Sequence, residues 1–189
     1  MRRMILPLII GLFFLGCLTA CKPGLLPTSD LAKPKITLER VEVAGAFPWA
    51  DPPARTPLIL AFVFNIENPS GVNIMLDNFK FAYSFEVKPD YYVELNVPVA
   101  YDRMYFPPKT TSQYRIVNAI DSAVVMGKLA VTQGAKLQAL DIKPIDLIKD
   151  WYAKIGDFSF GIKVGEGMAV FSTEKGDVFV PFEGSFPKK

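Results

Sequence analysis

The sequence predicts a mainly β fold: an Ig-like or fibronectin-like antiparallel β-sandwich of about seven strands, with a helical insert before the last hairpin. Three observations carry that expectation. Apolar residues alternate with polar ones in short runs from Lys35 onward. Proline, glycine and asparagine separate those runs at the spacing of strand turns. One stretch alone, Ala119 to Gly156, changes from a period of two to the period of a helix.

In order, Ile36 and Leu38 alternate in one phase and Val41 and Val43 in the other, which predicts a bulge near Glu39-Arg40. Asp51-Pro52-Pro53 breaks the chain. Leu58, Leu60, Phe62, Phe64 and Ile66 share one face, and Ile59, Ala61 and Val63 fill the other. A strand apolar on both faces is covered on both, so this one is expected at the centre of a sheet. Asn68-Pro69-Ser70-Gly71 reads as a turn. Phe79, Phe81, Tyr83, Phe85 and Val87 alternate with polar or small residues as a half-buried strand. Tyr91 to Val99 follows, with Val93, Leu95 and Val97 on one face, and Ser112 to Val117 follows Pro107-Pro108.

In the insert, Ser122 is expected to cap a helix whose stripe is Val125, Met126, Leu129 and Ala130 and whose stop is Gly134. A second helix is expected from Pro144, with Ile145, Ile148, Tyr152 and Ile155 at helical spacing and Gly156 as its stop. That stripe must cover something apolar. The outer face of the Leu58–Ile66 strand is the expected partner, with Trp151 at the margin. Strand pattern resumes with Phe158, Phe160, Ile162 and Val164, then Met168 to Phe171. Glu174-Lys175-Gly176-Asp177 signals a hairpin, and Val178, Val180 and Phe182 form the last strand.

The first residues belong to a different kind of segment. Arg2 and Arg3 precede an uncharged stretch from Met4 to Ala20, and Leu18-Thr19-Ala20-Cys21 closes it with small residues before a cysteine. A membrane-spanning helix and a plain secretory signal are the alternatives. About 17 uncharged residues lie at the lower limit of a span, and Pro7, Gly11 and Gly16 weaken a helix there. The cysteine decides between the readings. The tetrapeptide resembles the bacterial lipobox, which implies cleavage before Cys21 and diacylglycerol on its Sγ. The expected organisation is a signal over 1–20, a tether over 21–34 and one domain over 35–189, with the insert at 119–156. Lys22 to Pro34 is rich in proline and small residues and reaches at most about 45 Å. With Lys22 rather than aspartate after the cysteine, the lipobox resemblance implies the periplasmic side of the outer membrane in a two-membrane host. In a single-membrane host it implies the outer face of the cytoplasmic membrane.

Inventory then narrows the functions. The 189 residues hold 21 basic and 19 acidic side chains. Removal of Arg2 and Arg3 leaves equal numbers of each, so net charge gives nucleic acid no attraction. Histidine is absent, which excludes histidine-containing zinc sites and Ser-His or Cys-His catalytic pairs. Cys17 leaves with the signal and Cys21 takes the lipid, so no internal disulfide can form in the processed chain.

The order of pieces resembles the late embryogenesis abundant type 2 family, also described as the water-stress and hypersensitive-response domain. The matching residues are Pro34-Lys35-Ile36-Thr37-Leu38 with Val41 and Val43, then Leu58 to Glu67 running into Asn68-Pro69. Ile74, Leu76, Tyr83 and the closing Val178-Phe179-Val180-Pro181-Phe182 complete the match. Ser70 stands where that family often repeats asparagine. The resemblance implies a folded domain linked to desiccation and other stresses, with lipid handling among related domains. It supplies no catalytic residues and no cofactor.

Among candidate site residues, Asp141, Asp146 and Asp150 could form an acid/base pair or metal site, and are expected instead as a solvated helix face. Gly161, Gly165 and Gly167 lack the context of a phosphate loop and are expected as hairpin or bulge glycines. Ser84, Ser112, Ser122 and Ser172 have no histidine partner. Tyr91-Tyr92, Tyr101, Met104-Tyr105-Phe106 and Trp151-Tyr152 exceed what one face of each strand needs. The functional expectation is a non-catalytic, membrane-anchored envelope lipoprotein linked to stress protection. The alternative is an apolar-ligand or lipid-binding module using the space between sandwich and insert. A closed, dry core favours the first and an apolar cleft wider than a side chain the second.

Overall fold

The computed structural model describes residues 32–52 and 54–187. Cys21, the expected signal and most of the expected tether lie outside the described residues. The strands are β1 (Lys35–Ala46), β2 (Pro57–Asn68), β3 (Ile74–Lys88), β4 (Tyr91–Asn96), β5 (Val99–Ala100), β6 (Met104–Phe106), β7 (Thr110–Asp121), β8 (Ile162–Thr173) and β9 (Gly176–Phe186). Two helices, α1 (Ser122–Ala139) and α2 (Pro144–Lys154), connect β7 to β8. All pairings are antiparallel: a small sheet in the order β1-β2-β7, and a large sheet β4-β3-β8-β9 with β5 and β6 extending the β4 edge against β3. The two sheets pack as a β-sandwich, and β2 is the central strand of its sheet as its two-faced apolarity requires.

Between the sheets lies a continuous layer of rings. Phe62 and Phe64 of β2 meet Phe81 and Phe79 of β3 at centroid distances of 5.0 Å each, and Phe182 of β9 closes on Phe79 at 4.5 Å. Such pairs add ~0.5–1.5 kcal/mol each beyond their burial. The bulge read from the phase change of β1 is present: Leu38 pairs with Phe64 and Arg40 with Val63, leaving Glu39 without a register partner. Gly165 and Gly167 flank a second irregularity, with Glu166 between them in the left-handed region at φ 49°. Gly167 is also a steric requirement, because a Cβ there would run into the Phe182 carbonyl oxygen and ring. β8 is one strand through this bulge, where the sequence predicts two pieces, because β3 and β9 hold it on both sides.

Several boundaries differ from expectation. Asp121, not Ser122, caps α1, its side chain accepting from the Ala123 N–H at 2.8 Å. Gly134 does not stop α1, which runs on to Ala139 because Leu137 is buried beyond it. A tertiary contact thus overrides the propensity penalty of roughly 1 kcal/mol for glycine. Of the predicted α2 stripe, Ile148 and Ile155 are buried and Ile145 and Tyr152 half-buried, while Leu147 and Trp151 are buried beside them and widen the packed face. Val97 leaves the face of Val93 and Leu95, since β4 ends at Asn96.

The strands give the sandwich two distinct poles. At one lie the β2–β3 turn, β6, the β8–β9 hairpin and the first residue of β1, Lys35, which pairs with Glu67. At the other lie the ends of β1, β3, β7 and β9, the start of β8, and the insert. We call these the Asn68 pole and the insert pole. At the first, the Asn68 carboxamide is fully buried. Its Oδ1 accepts from the Ser70 N–H (3.0 Å) and hydroxyl (2.6 Å), and its Nδ2 lies 2.9–3.1 Å from the carbonyls of Val72, Phe106 and Pro107.

Candidate functional site

The insert pole is where the sequence predicts a cover or a ligand wall. Its position corrects the expectation that the insert lies across the outer face of β2. Ala61 and Val63 are buried on that face, flanked in register by Glu42 and Val117 and by Arg40 and Arg115. Arg40 bridges Glu39 and Glu42 at 2.8 Å, Arg115 reaches Glu42 at 3.0 Å, and Gln113 reaches Glu39 at 2.6 Å. The stems of this ion-paired ladder flank the small side chains of β2, so no helix is needed there. Hydrogen bonds from Arg115 and then Arg40 hold the Glu42 carboxyl below its usual value.

The insert instead closes one end of the sandwich and is fastened to both sheets. On the small-sheet side, Ser122 Oγ accepts from the Thr56 N–H at 2.9 Å, and the Tyr152 hydroxyl donates to the Thr56 carbonyl at 2.8 Å. Lys149 Nζ meets Asp51 Oδ1 at 2.7 Å, and the Trp49 indole donates to the same oxygen at 3.0 Å. Those two hydrogen bonds, led by that from Lys149, lower the Asp51 carboxyl. Burial first, and then Asp121, push the Tyr152 hydroxyl well above its ordinary range. On the large-sheet side, Trp151 Nε1 donates to the Glu86 carbonyl at 2.8 Å and its ring stands edge-on to Phe85, centroids 5.4 Å apart. Trp151 is therefore core rather than margin. Lys128 pairs with Glu94 at 2.7 Å, and Lys136 sits 3.6 Å over the Tyr91 ring.

A cleft of about 430 Å³ opens between the end of β3, α2 and the loop leading to β8. Val87, Leu147, Trp151, Phe158 and Phe160 supply its apolar wall, and Lys88, Asp150 and Lys154 its polar lining. The loop is held by Glu86, whose Oε2 accepts from the Gly161 N–H at 2.7 Å. Gly161 has no room for a side chain: a Cβ there would stand 2.6 Å from the Tyr92 hydroxyl. Phe158 adopts φ 52° and packs edge-on against Phe186 at 4.9 Å, so the predicted alternation begins as a loop and becomes strand only at Ile162. The volume falls within the range of small-molecule sites, about 300–1,000 Å³.

The three carboxylates considered for chemistry do not converge on a metal. Asp150 pairs with Lys154 at 2.7 Å, Asp146 sits in the first turn of α2, and Asp141 takes φ 55° just after α1. Among the described residues no group of three His, Cys, Asp or Glu could hold a metal ion. Of the four serines, Ser122 secures Thr56, and the Ser172 hydroxyl lies between Asp77 and Asp177. The aromatic surplus divides: Phe106 and Trp151 are buried, whereas Tyr101 and Tyr105 are largely exposed. Asn68, Thr56 and Glu86 carry no local sequence signal for these roles, although Asn68 stands among the residues of the family resemblance.

No family model and no curated protein matches the chain. Among solved structures, it is similar to a protein from Archaeoglobus fulgidus at 12% identity, TM-score 0.40, over 81% of this chain and 98% of that one. It is also similar to a structural-genomics consortium target at 11% identity, TM-score 0.38, over 82% and 86% of the two chains. Among the described residues no helix is long and apolar enough to cross a membrane.

Proposed function

We propose that this chain is an envelope lipoprotein, anchored through lipid on Cys21, whose late embryogenesis abundant type 2-like sandwich protects against desiccation or related stress without catalysis. The observation that carries the non-catalytic part is the use of its buried polar side chains. Thr56, Asn68, Ser70 and Ser122 all bond neighbouring chain, and among the described residues no buried side-chain nitrogen or oxygen lacks a partner. Catalytic sites commonly hold polar groups ready for substrate, whereas these fasten backbone. The anchoring part rests on Leu18-Thr19-Ala20-Cys21.

Two measurements test the reading. Cys21→Ser is expected to leave an unprocessed or soluble product on fractionation, and a variant still processed and membrane-bound would sink the anchor. A labile enzyme dried with the purified protein is expected to keep more activity than one dried with an equal mass of an unrelated β-sandwich. No difference would remove the protective role.

The cleft at the insert pole favours a second reading, an apolar-ligand module. An environment-sensitive naphthalene dye should then bind the native protein and bind several-fold more weakly to Leu147→Gln. Val131→Gln, on an exposed position of α1, should leave binding unchanged. Equal binding by all three would reject this reading.

A further inference from the structure

The two outer faces of the sandwich differ in chemistry. That of the small sheet carries the Arg40-Glu42-Arg115 ladder. That of the large sheet, in its half toward the Asn68 pole, is built from three cross-strand rows fixed by register. Tyr105, Met75, Ser172 and Asp177 form the first; Asn78, Val170 and Phe179 the second; Val99, Lys80, Met168 and Pro181 the third. Inward neighbours such as Leu76, Phe171 and Val178 are buried, so these rows face outward. Seven of the eleven residues are apolar, and among them Lys80 and Asp177 carry charge; Asp77, at the bulge between the first two rows, bonds Ser172 and has Arg103 3.9 Å away. Tyr105 is 68% exposed, Phe179 59%, Val99 43% and Met168 37%. Apolar side chains exposed on neighbouring rows suit a surface that meets something other than water.

We infer that this face rests on the lipid headgroup layer when the protein is anchored; the inference builds on the lipidation of Cys21 proposed above. The chain enters the sandwich at Lys35, at the same pole as the Tyr105 row. The thirteen residues from Lys22 to Pro34 span at most about 45 Å, similar to the roughly 40 Å length of a twelve-residue strand. Lipid at Cys21 therefore keeps the bilayer within reach of the face. Its composition suits that boundary: tyrosine, phenylalanine, methionine and valine bury apolar atoms among headgroups, while Lys80 and Arg103 balance Asp77 and Asp177 in charge. The ion-paired face of the small sheet stays in water.

Single-thiol variants of the full chain test this, because Cys17 leaves with the signal and Cys21 is taken by lipid. Phe179→Cys and Val99→Cys report on the proposed face. Val117→Cys, 50% exposed on the small sheet, is the control. Each processed protein is nitroxide-labelled and reconstituted into phosphatidylethanolamine–phosphatidylglycerol vesicles, and its collision rates with oxygen and with a water-soluble nickel chelate are compared. The oxygen-to-nickel ratio should be several-fold higher at positions 179 and 99 than at 117. Equal ratios at all three, in protein whose mass confirms diacylglycerol on Cys21, overturn the lipid-facing surface alone. Dipolar broadening at 179 would assign the face to a second copy and likewise overturn it. Absence of lipid mass on Cys21 would remove the anchor and this inference together.

Discussion

Replacing Asn68 by alanine should destabilise the domain about as much as truncating a large apolar core residue. The side chain accepts two hydrogen bonds from Ser70 and offers its two N–H groups to the carbonyls of Val72, Phe106 and Pro107, with no exposure of its own. Alanine leaves the Ser70 N–H and at least two carbonyls without that partner, at ~1–3 kcal/mol for each truly buried group. Because some of those carbonyls are only partly buried, about 3–5 kcal/mol is expected overall. At ~2–4 °C per kcal/mol for a domain of this size, the melting temperature should fall by roughly 6–20 °C. Urea unfolding followed by Trp fluorescence measures it, with Asn65→Ala as a control expected to change stability by less than ~0.5 kcal/mol. Asn68→Asp keeps the acceptors but turns a carboxylate toward the three carbonyls. The folded state then raises that carboxyl above its unfolded value. This variant should be weakest at neutral pH and regain stability as pH falls through the folded-state pKa. An Asn68→Ala protein within 1 kcal/mol of the native one, by the same ~1–3 kcal/mol scale, would refute the clasp.

Phe62→Asp or Phe64→Asp should prevent folding, since both rings are fully buried and an unpaired buried charge costs several kcal/mol; native-like melting in both would show the central-strand assignment wrong. Ile148→Ala should cost about 2–5 kcal/mol, read from urea midpoints, and an unchanged midpoint would mean α2 does not pack as described. Gly167→Ala should destabilise strongly through the Phe182 backbone while Gly165→Ala is much milder, and equal effects would count against the bulge geometry. The Glu42 carboxyl, lowered by Arg115 and Arg40, contributes stability above its unfolded pKa and loses it as pH falls through the folded one. Carbon-detected NMR titration should show it rising in Arg115→Ala, and no change would dissolve the ladder.

Where a signal was local, the sequence carried it. The phase change at Glu39-Arg40 specified a bulge, and the two-faced apolarity of β2 specified a central strand, because each follows from the two-residue strand period. The insert was legible as helices but not in its placement. Its stripe and the outer face of β2 are both apolar, and apolarity does not say which surfaces meet. Arg40, Glu42 and Arg115 read as ordinary exposed charge, and only register reveals that they stand beside Ala61 and Val63. Gly134 misled for a related reason: Leu137, one turn further, gains enough burial to carry α1 through it. The Asn68 clasp joins residues 38 and 39 positions apart, beyond any local rule.

The opposite placement of Lys35 and Phe186 has a mechanical consequence. Lys35 opens β1 at the Asn68 pole, and Phe186 closes β9 at the insert pole. Tension applied between these residues would run along the strand axes, loading the ladders sideways rather than peeling them one rung at a time. β1 meets β2 through ten register pairs, and under such a pull those rungs share the force before any of them gives. Pulled instead between Lys35 and the β8–β9 turn at Glu174, both at the Asn68 pole, the same edge strand would unzip from its first pair. Rupture forces in the first geometry should exceed those in the second, giving the domain a strong and a weak direction under load.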